Sequence, residues 1–251
     1  MSALEGKVAL VTGSSHGLGR ATAERLGRDG ALVAVHGRDG DAAEEVVAAI
    51  EADGGSAFPI CVELGPAGDV ETLFAALEEG LRERTGEGSF DILVNNAGFS
   101  HTIPFEELTP EVFDGLVAVN AKAPLFIIQR ALGQLRDDGR IVNISTGLTR
   151  FPCPQEVGYA MSKGALDMLA LHLAKYVGPR GITINTVAPG TSDNGRGTLD
   201  DDPAAAAIAE LSAFGRWGEA ATIADVVAFL VGHDGRWVTG AWIDATGGAL
   251  G

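Results

Sequence analysis

Short apolar runs rich in β-branched residues recur at 7–13 (KVALVTG), 31–37 (ALVAVHG), 56–62 (SAFPICV), 90–96 (FDILVNN), 139–145 (GRIVNIS), 181–190 (GITINTVAPG) and 241–248 (AWIDATGG). Several are apolar at consecutive positions, the pattern of strands covered on both faces. Between them, 20–30 (RATAERLGRDG), 41–55 (DAAEEVVAAIEADGG) and 69–86 (DVETLFAALEEGLRERTG) space their apolar residues helically, and Gly30, Gly54 and Gly86 stand where those helices should stop. Strand and helix in alternation predict an α/β fold with a doubly wound, seven-stranded parallel sheet, joined by right-handed crossovers and flanked by helices. No Pro/Ser-rich linker divides the chain, so one domain over 1–251 is expected. The stretch 191–218 breaks the rhythm. An acidic, Gly-rich opening leads into a short alanine-rich helix and an aromatic pair, as expected of a lid crossing the sheet edge.

The first strand runs into TGSSHGLGRA (12–21), which opens the first helix. Gly13, Gly17 and Gly19 permit a tight turn and close backbone approach, and the helix N-terminus offers N–H groups and a positive dipole end. The ligand implied is the pyrophosphate of a dinucleotide on a Rossmann-type fold. An acidic residue ending the second strand would bind a ribose hydroxyl and repel a 2′-phosphate. This chain has Gly37 then Arg38, with His16 as a second contact, so NADP(H) is favoured over NAD(H); Asp39 approaching the ribose would reverse the preference.

With 46% hydrophobic but only 6% aromatic residues and 35 glycines, the core is read as Val/Ala/Leu packing with many tight turns. A formal charge of −16 argues against a nucleic-acid or anionic membrane partner, so an anionic ligand needs a local basic or helix-terminal site. Cys61 and Cys153 give neither a disulfide framework nor metal-ligand spacing and are read as small core or pocket residues in a reducing compartment; no metal is expected. The N-terminus does not resemble a signal peptide and no apolar run approaches a membrane span, so a cytoplasmic protein is expected.

GYAMSKGAL (158–166) sets Tyr159 four positions before Lys163, which on a helix puts both heads on one face. A cation beside the phenol would lower its pKa; burial alone would raise it.

These motifs in order resemble the classical short-chain dehydrogenases/reductases over essentially the whole chain: TGSSHGLG, NNAG (95–98), Asn120 in VAVNAKAP, NIS (143–145), YAMSK (159–163) and NTVAPGT (185–191). The resemblance implies that Tyr159 is the general acid in carbonyl reduction, that Lys163 stabilises the tyrosinate and binds the nicotinamide ribose, that Ser145 holds the substrate oxygen, and that Asn120 holds a water leading from Lys163 to solvent. It places the cofactor on Gly13, Ser15, His16, Gly17, Leu18 and Gly19, on Arg38, on Glu63 and Leu64 beside the adenine, on Asn96, Ala97 and Gly98, on Tyr159 and Lys163, and on Pro189, Gly190 and Thr191. Two departures stand out. Ser145 lies 14 positions before Tyr159 with two prolines in the segment between, and Glu63-Leu64 replaces the family's usual Asp near the adenine.

Phe99, Leu148, Phe151, Cys153, Phe214 and Trp217 are expected to wall the pocket, suiting a flat hydrophobic ketone such as a polycyclic polyketide intermediate. The acidic lid opening, with Asp193 and Asp200 to Asp202, offers no clamp for a carrier phosphate. A carrier-bound 3-oxoacyl reductase and a non-catalytic dinucleotide sensor are the alternatives. The resemblance, with an apolar C-terminal sheet edge, implies a homo-oligomer, tetramer or dimer.

Overall fold

The computed structural model describes residues 3–193 and 209–250. The seven strands read from the sequence form one parallel sheet: β1 (Val8–Val11), β2 (Leu32–Gly37), β3 (Ser56–Cys61), β4 (Phe90–Asn95), β5 (Leu135–Ile144), β6 (Thr183–Pro189) and β9 (Trp242–Ala245). The order across the sheet is β3-β2-β1-β4-β5-β6-β9. Strand order reverses between β1 and β4, and the crevice at such a reversal is where open α/β sheets bind ligands.

Alternation of side chains explains why apolar residues run consecutively. Along β1, Val8 and Leu10 enter a core roofed by α3 (Asp69–Thr85), α5 (Ala123–Ala131) and α6 (Val157–Val177), while Ala9 and Val11 enter the opposite core under α1 (Gly17–Arg28), α2 (Gly40–Ala52) and α7 (Ala220–Val231). Both faces are therefore dry, and neither tolerates a polar alternate position. Gly30, Gly54 and Gly86 all take left-handed φ, at 96°, 83° and 74°, just past the helices they end.

Three features depart from the sequence reading. β5 starts at Leu135 instead of 139, because Leu135 pairs with Phe90 before the register shifts on the way to Ile92–Arg140. The excursion after β6 is tied at its two ends by a short parallel ribbon, β7 (Ser192–Asp193) with β8 (Gly218–Glu219). Its Asp200 to Asp202 run and expected alanine-rich helix lie outside the described residues. Cys61 is exposed and Cys153 half-buried, so Cys61 is not a core residue: at the end of edge strand β3 its side chain takes an outward position of the pleat.

Candidate functional site

The residues singled out in the sequence gather at the carboxyl ends of β1, β2, β4, β5 and β6. The loop after β1 turns into α1, whose N-cap His16 supplies no side-chain cap and whose first turn holds no acidic residue. Its leading N–H groups lack intrahelical acceptors, so they form an anion-seeking cradle. Gly19 must be glycine: a Cβ there would stand 2.2 Å from the Gly13 carbonyl oxygen and 2.4 Å from Asn96 Nδ2. Asn96 holds the loop from the β4 side, donating through Nδ2 to the carbonyls of Thr12 and Gly13 at 2.9 Å each. Thr12 Oγ1 accepts from the backbone N–H groups of Asn96 and Ala97 at 3.0 Å each.

His36 completes this scaffold and was not singled out in the sequence. It is buried near the end of β2, its Nδ1 accepts from Gly13 N at 3.0 Å, and its Nε2 donates to the Val62 carbonyl at 3.0 Å. Burial pushes its pKa down to about 4, against the pull of the Val62 carbonyl, so the ring is neutral and can accept from the loop. The one signal available was a lone polar residue in an otherwise apolar strand.

Arg38 is exposed just beyond β2. Asp39, whose approach to a ribose would have reversed the cofactor preference, is instead the N-cap of α2, accepting from Ala42 N at 3.3 Å. Ser15 is buried, with Oγ 3.1 Å from His16 Nδ1. The adenine pair divides: Glu63 is exposed, whereas Leu64 turns its side chain into the core, leaving only its main chain for a ligand. On the far side Pro189 ends β6 in register with Ala245, Gly190 continues to the Ala245 carbonyl, and Thr191 accepts from Gly218 N at the base of the ribbon.

Ser145 follows β5, its N–H donating to the Val187 carbonyl at 2.7 Å, and its buried Oγ has no hydrogen-bond partner among the described residues. Lys163 is buried one turn after Tyr159 on α6, and its Nζ donates to the carbonyl of Ile144, the residue before Ser145, at 2.8 Å. Asn120 sits where the helix widens to a π turn over Ala118–Lys122, a geometry frequent at functional sites. Its amide is committed to protein: Oδ1 accepts from Phe99 N at 3.0 Å, while Nδ2 donates to the Phe99 carbonyl at 2.9 Å and to Ser162 Oγ at 3.0 Å. A water-holding role therefore falls to its main chain. A Cβ on Gly98 would come within 2.8 Å of Asn120 Oδ1 and 3.0 Å of Lys163 Nζ, which shows how closely the β4 loop, α6 and the π turn converge.

The expectation that Lys163 lowers the Tyr159 pKa does not hold in this geometry. Burial, with the Glu156 charge added, pushes the phenol up to about 12 against the opposing Thr146 hydroxyl. Lys163 itself is brought down to about 8 by burial, with Asp167 pulling the other way. Glu156 is buried three residues before Tyr159 and is held through Oε1 by the Thr102 hydroxyl. The pocket-wall residues are not core: Phe99 and Phe214 are exposed, and Leu148, Phe151, Cys153 and Trp217 are half-buried. Phe214 reaches the C-terminal strap, where Ala213 N donates to the Gly247 carbonyl at 2.9 Å.

The sequence model for short chain dehydrogenases matches residues 7–198. The crystal structure of the angucycline C-6 ketoreductase LanV with bound NADP superposes with a TM-score of 0.97 at 56% identity, covering 99% of this chain and 97% of that one. The promiscuous reductase LugOII, which catalyses keto-reduction at C1 during lugdunomycin biosynthesis, gives 0.97 and 56%, with 99% and 100% covered. Tetrahydroxynaphthalene reductase of Pyricularia oryzae is 34% identical over 264 residues, covering 99% of this chain and 91% of its own length.

Proposed function

The chain belongs to the short chain dehydrogenase family, and from that premise we propose that it reduces a ketone on a hydrophobic, polycyclic polyketide-type substrate to a secondary alcohol at the expense of NADPH. The observation that carries this is the meeting of Ser145, Tyr159 and Lys163 beside a glycine cradle fit for a pyrophosphate, with Arg38 exposed and Asp39 withdrawn into a helix cap. Ketoreductases at 56% identity, one of them with NADP bound, support the same reading.

When bound, the nicotinamide supplies the hydride. The chain's own work is to hold the ketone oxygen between Ser145 Oγ and the Tyr159 hydroxyl, to deliver the phenolic proton as negative charge develops there, and to keep Lys163 cationic beside the tyrosinate so formed. A phenol at about 12 remains a competent acid, because the alkoxide it protonates is far more basic, its conjugate acid lying on the order of water's ~15.7. The reverse oxidation needs phenolate to begin with, so the raised value favours reduction near neutral pH. Lys122 and the main chain of the π turn lead from Asn120 toward the surface as a path for reprotonation.

Exposed Phe99 and Phe214 wall the pocket against a flat ring system, beneath the segment 191–218 acting as a lid. The whole chain works as one domain. Two separate apolar faces, one from Phe126 on α5 with Met161, Met168 and Leu171 on α6, the other from Phe229 on α7 with Trp237, fit two different two-fold contacts and hence a homotetramer. Unpaired Cys61 and Cys153 suit a reducing cytoplasm. The deciding experiment is NADPH consumption against a panel of angucyclinone-type ketones, hydroxynaphthalenones and 3-oxoacyl thioesters. Turnover confined to thioesters would move the substrate class, and NADPH binding without turnover of any ketone would make the protein a sensor.

A further inference from the structure

Outside the four residues discussed so far, one buried acid lies against the site. Asp167 is one turn beyond Lys163 on α6, so Tyr159, Lys163 and Asp167 form a single file along the helix face. Its Oδ2 accepts from the Trp242 indole N–H at 3.0 Å, and the Arg150 guanidinium lies over that indole, 3.6 Å from the ring centroid. The hydroxyls of Ser145 and Thr149 face the same carboxylate, and Arg150 adds an attractive charge. Two atoms here stay unsatisfied among the described residues: Asp167 Oδ1 and Ser145 Oγ, both enclosed. Two facing, buried and unpartnered atoms, one a potential donor and one an acceptor, are a pairing waiting on a small rotation of the hydroxyl.

We propose that Asp167 is a positioning residue of the reaction, which aims the Ser145 hydroxyl and preserves the positive charge of Lys163. This rests on the proposed ketoreductase site.

β9 and the loop after β5 clamp the carboxylate through Trp242, Thr149 and Arg150, so it is a fixed reference point behind the serine. A hydroxyl anchored there has one orientation of its lone pairs and proton instead of three, and the substrate oxygen meets a prearranged partner. Lys163 is faced by the Ile144 carbonyl from β5, by Asn120 across Gly98, and by Tyr159 and Asp167 on its own helix. Burial draws the ammonium toward neutrality, and Asp167 is the charge that opposes this; burial also raises the Asp167 carboxyl, against which the hydroxyls, the indole and Arg150 all act. The carboxylate is thus kept ionised by its clamp and spends that charge on the lysine.

The test is the pH profile of kcat for Asp167→Asn, which keeps the shape and an acceptor for the indole. The expected result is a fall in kcat of up to about 10²-fold, little change in KM for NADPH, and an alkaline limb moved to lower pH as Lys163 loses its supporting charge. At pH 6.5, where Lys163 holds its proton in either protein, adding Asp167→Asn to Ser145→Ala should cost little beyond Ser145→Ala alone. Asp167→Glu, charged but longer, should restore the alkaline limb while leaving kcat reduced, and it carries the test if the Asn variant does not fold. Wild-type kcat with an unmoved limb, or a lower melting temperature with an unmoved limb, would overturn the proposal, as would multiplicative losses with Ser145→Ala. Tyr159→Phe in the same assay separates the two levels. If that variant keeps its rate the site reading itself fails, whereas collapse in Tyr159→Phe beside a wild-type Asp167→Asn rejects Asp167 alone.

Discussion

At the amino ends of the strands a buried carboxylate is saturated; at the carboxyl ends another is not. Asp91, opening β4, accepts from Lys7 Nζ at 3.0 Å, from Val8 N at 3.0 Å and from Arg136 Nη1 at 2.8 Å, tying β1, β4 and β5 together. Asp167 makes a single such bond and leaves one oxygen bare. The contrast extends beyond this pair. Of the eight buried side-chain atoms without a partner among the described residues, six belong to Asn95, Asn143, Ser145, Glu156, Asp167 and Thr186, at or near the catalytic end. Saturated polar groups lock the sheet; unsaturated ones carry a cost that only a ligand or a reaction explains.

That division predicts that damage at one end shows in rate and at the other in stability. The largest effect should come from Tyr159→Phe, which keeps the ring but removes the only acidic hydrogen: turnover should fall by about 10²–10⁴-fold with the melting temperature unchanged. Single-turnover reduction together with thermal denaturation tests this, and a variant holding more than about a tenth of the wild-type rate would end the general-acid role.

Acid should expose a second weakness, because His36 serves both ends of the argument. It is folded neutral with a pKa of about 4, against 6.5 when free, so the unfolded chain binds the proton more readily. Its contribution is complete above pH 6.5 and is lost as pH falls toward 4, worth about 3 kcal/mol over that window. Denaturant titrations from pH 7 to 4 should be steeper for the wild type than for His36→Asn; parallel curves would mean His36 protonates freely in the folded protein.

At the saturated end, Asp91→Ala removes a charged acceptor from two cations that remain partly solvated, at 47% and 33% side-chain exposure. The expected loss is about 2–4 kcal/mol of stability, below the full penalty of a buried pair, with kcat and KM unaltered at a temperature where the variant is folded. A change in KM for NADPH would blur the division between the two ends.

The smallest effect sharpens the cofactor reading. Arg38→Ala should weaken NADPH by about 1.5–3 kcal/mol and leave NADH nearly unchanged, as measured by fluorescence titration of both. Equal losses would assign Arg38 to the loop rather than to a 2′-phosphate.

Much of this was legible in the chain because local rules fix it. Consecutive apolar runs require strands with two dry faces, Gly30, Gly54 and Gly86 end helices through their φ, and Tyr159 and Lys163 share a helix face by spacing alone. The same spacing reaches Asp167, but a carboxylate one turn further on reads as a solvated helix face until Trp242, 75 residues later, is seen to bond it. His36 was likewise silent, since its partners Gly13 and Val62 come from two other segments. The order of motifs by itself determined the fold, the cradle and the reaction class. Protonation was decided only by the tertiary structure. Whether Tyr159 moves down toward neutrality or up to about 12 depends on burial and on which charges, Glu156 or Lys163, the packed chain brings against the phenol, and dielectric and distance are properties of packing that spacing along a sequence does not contain.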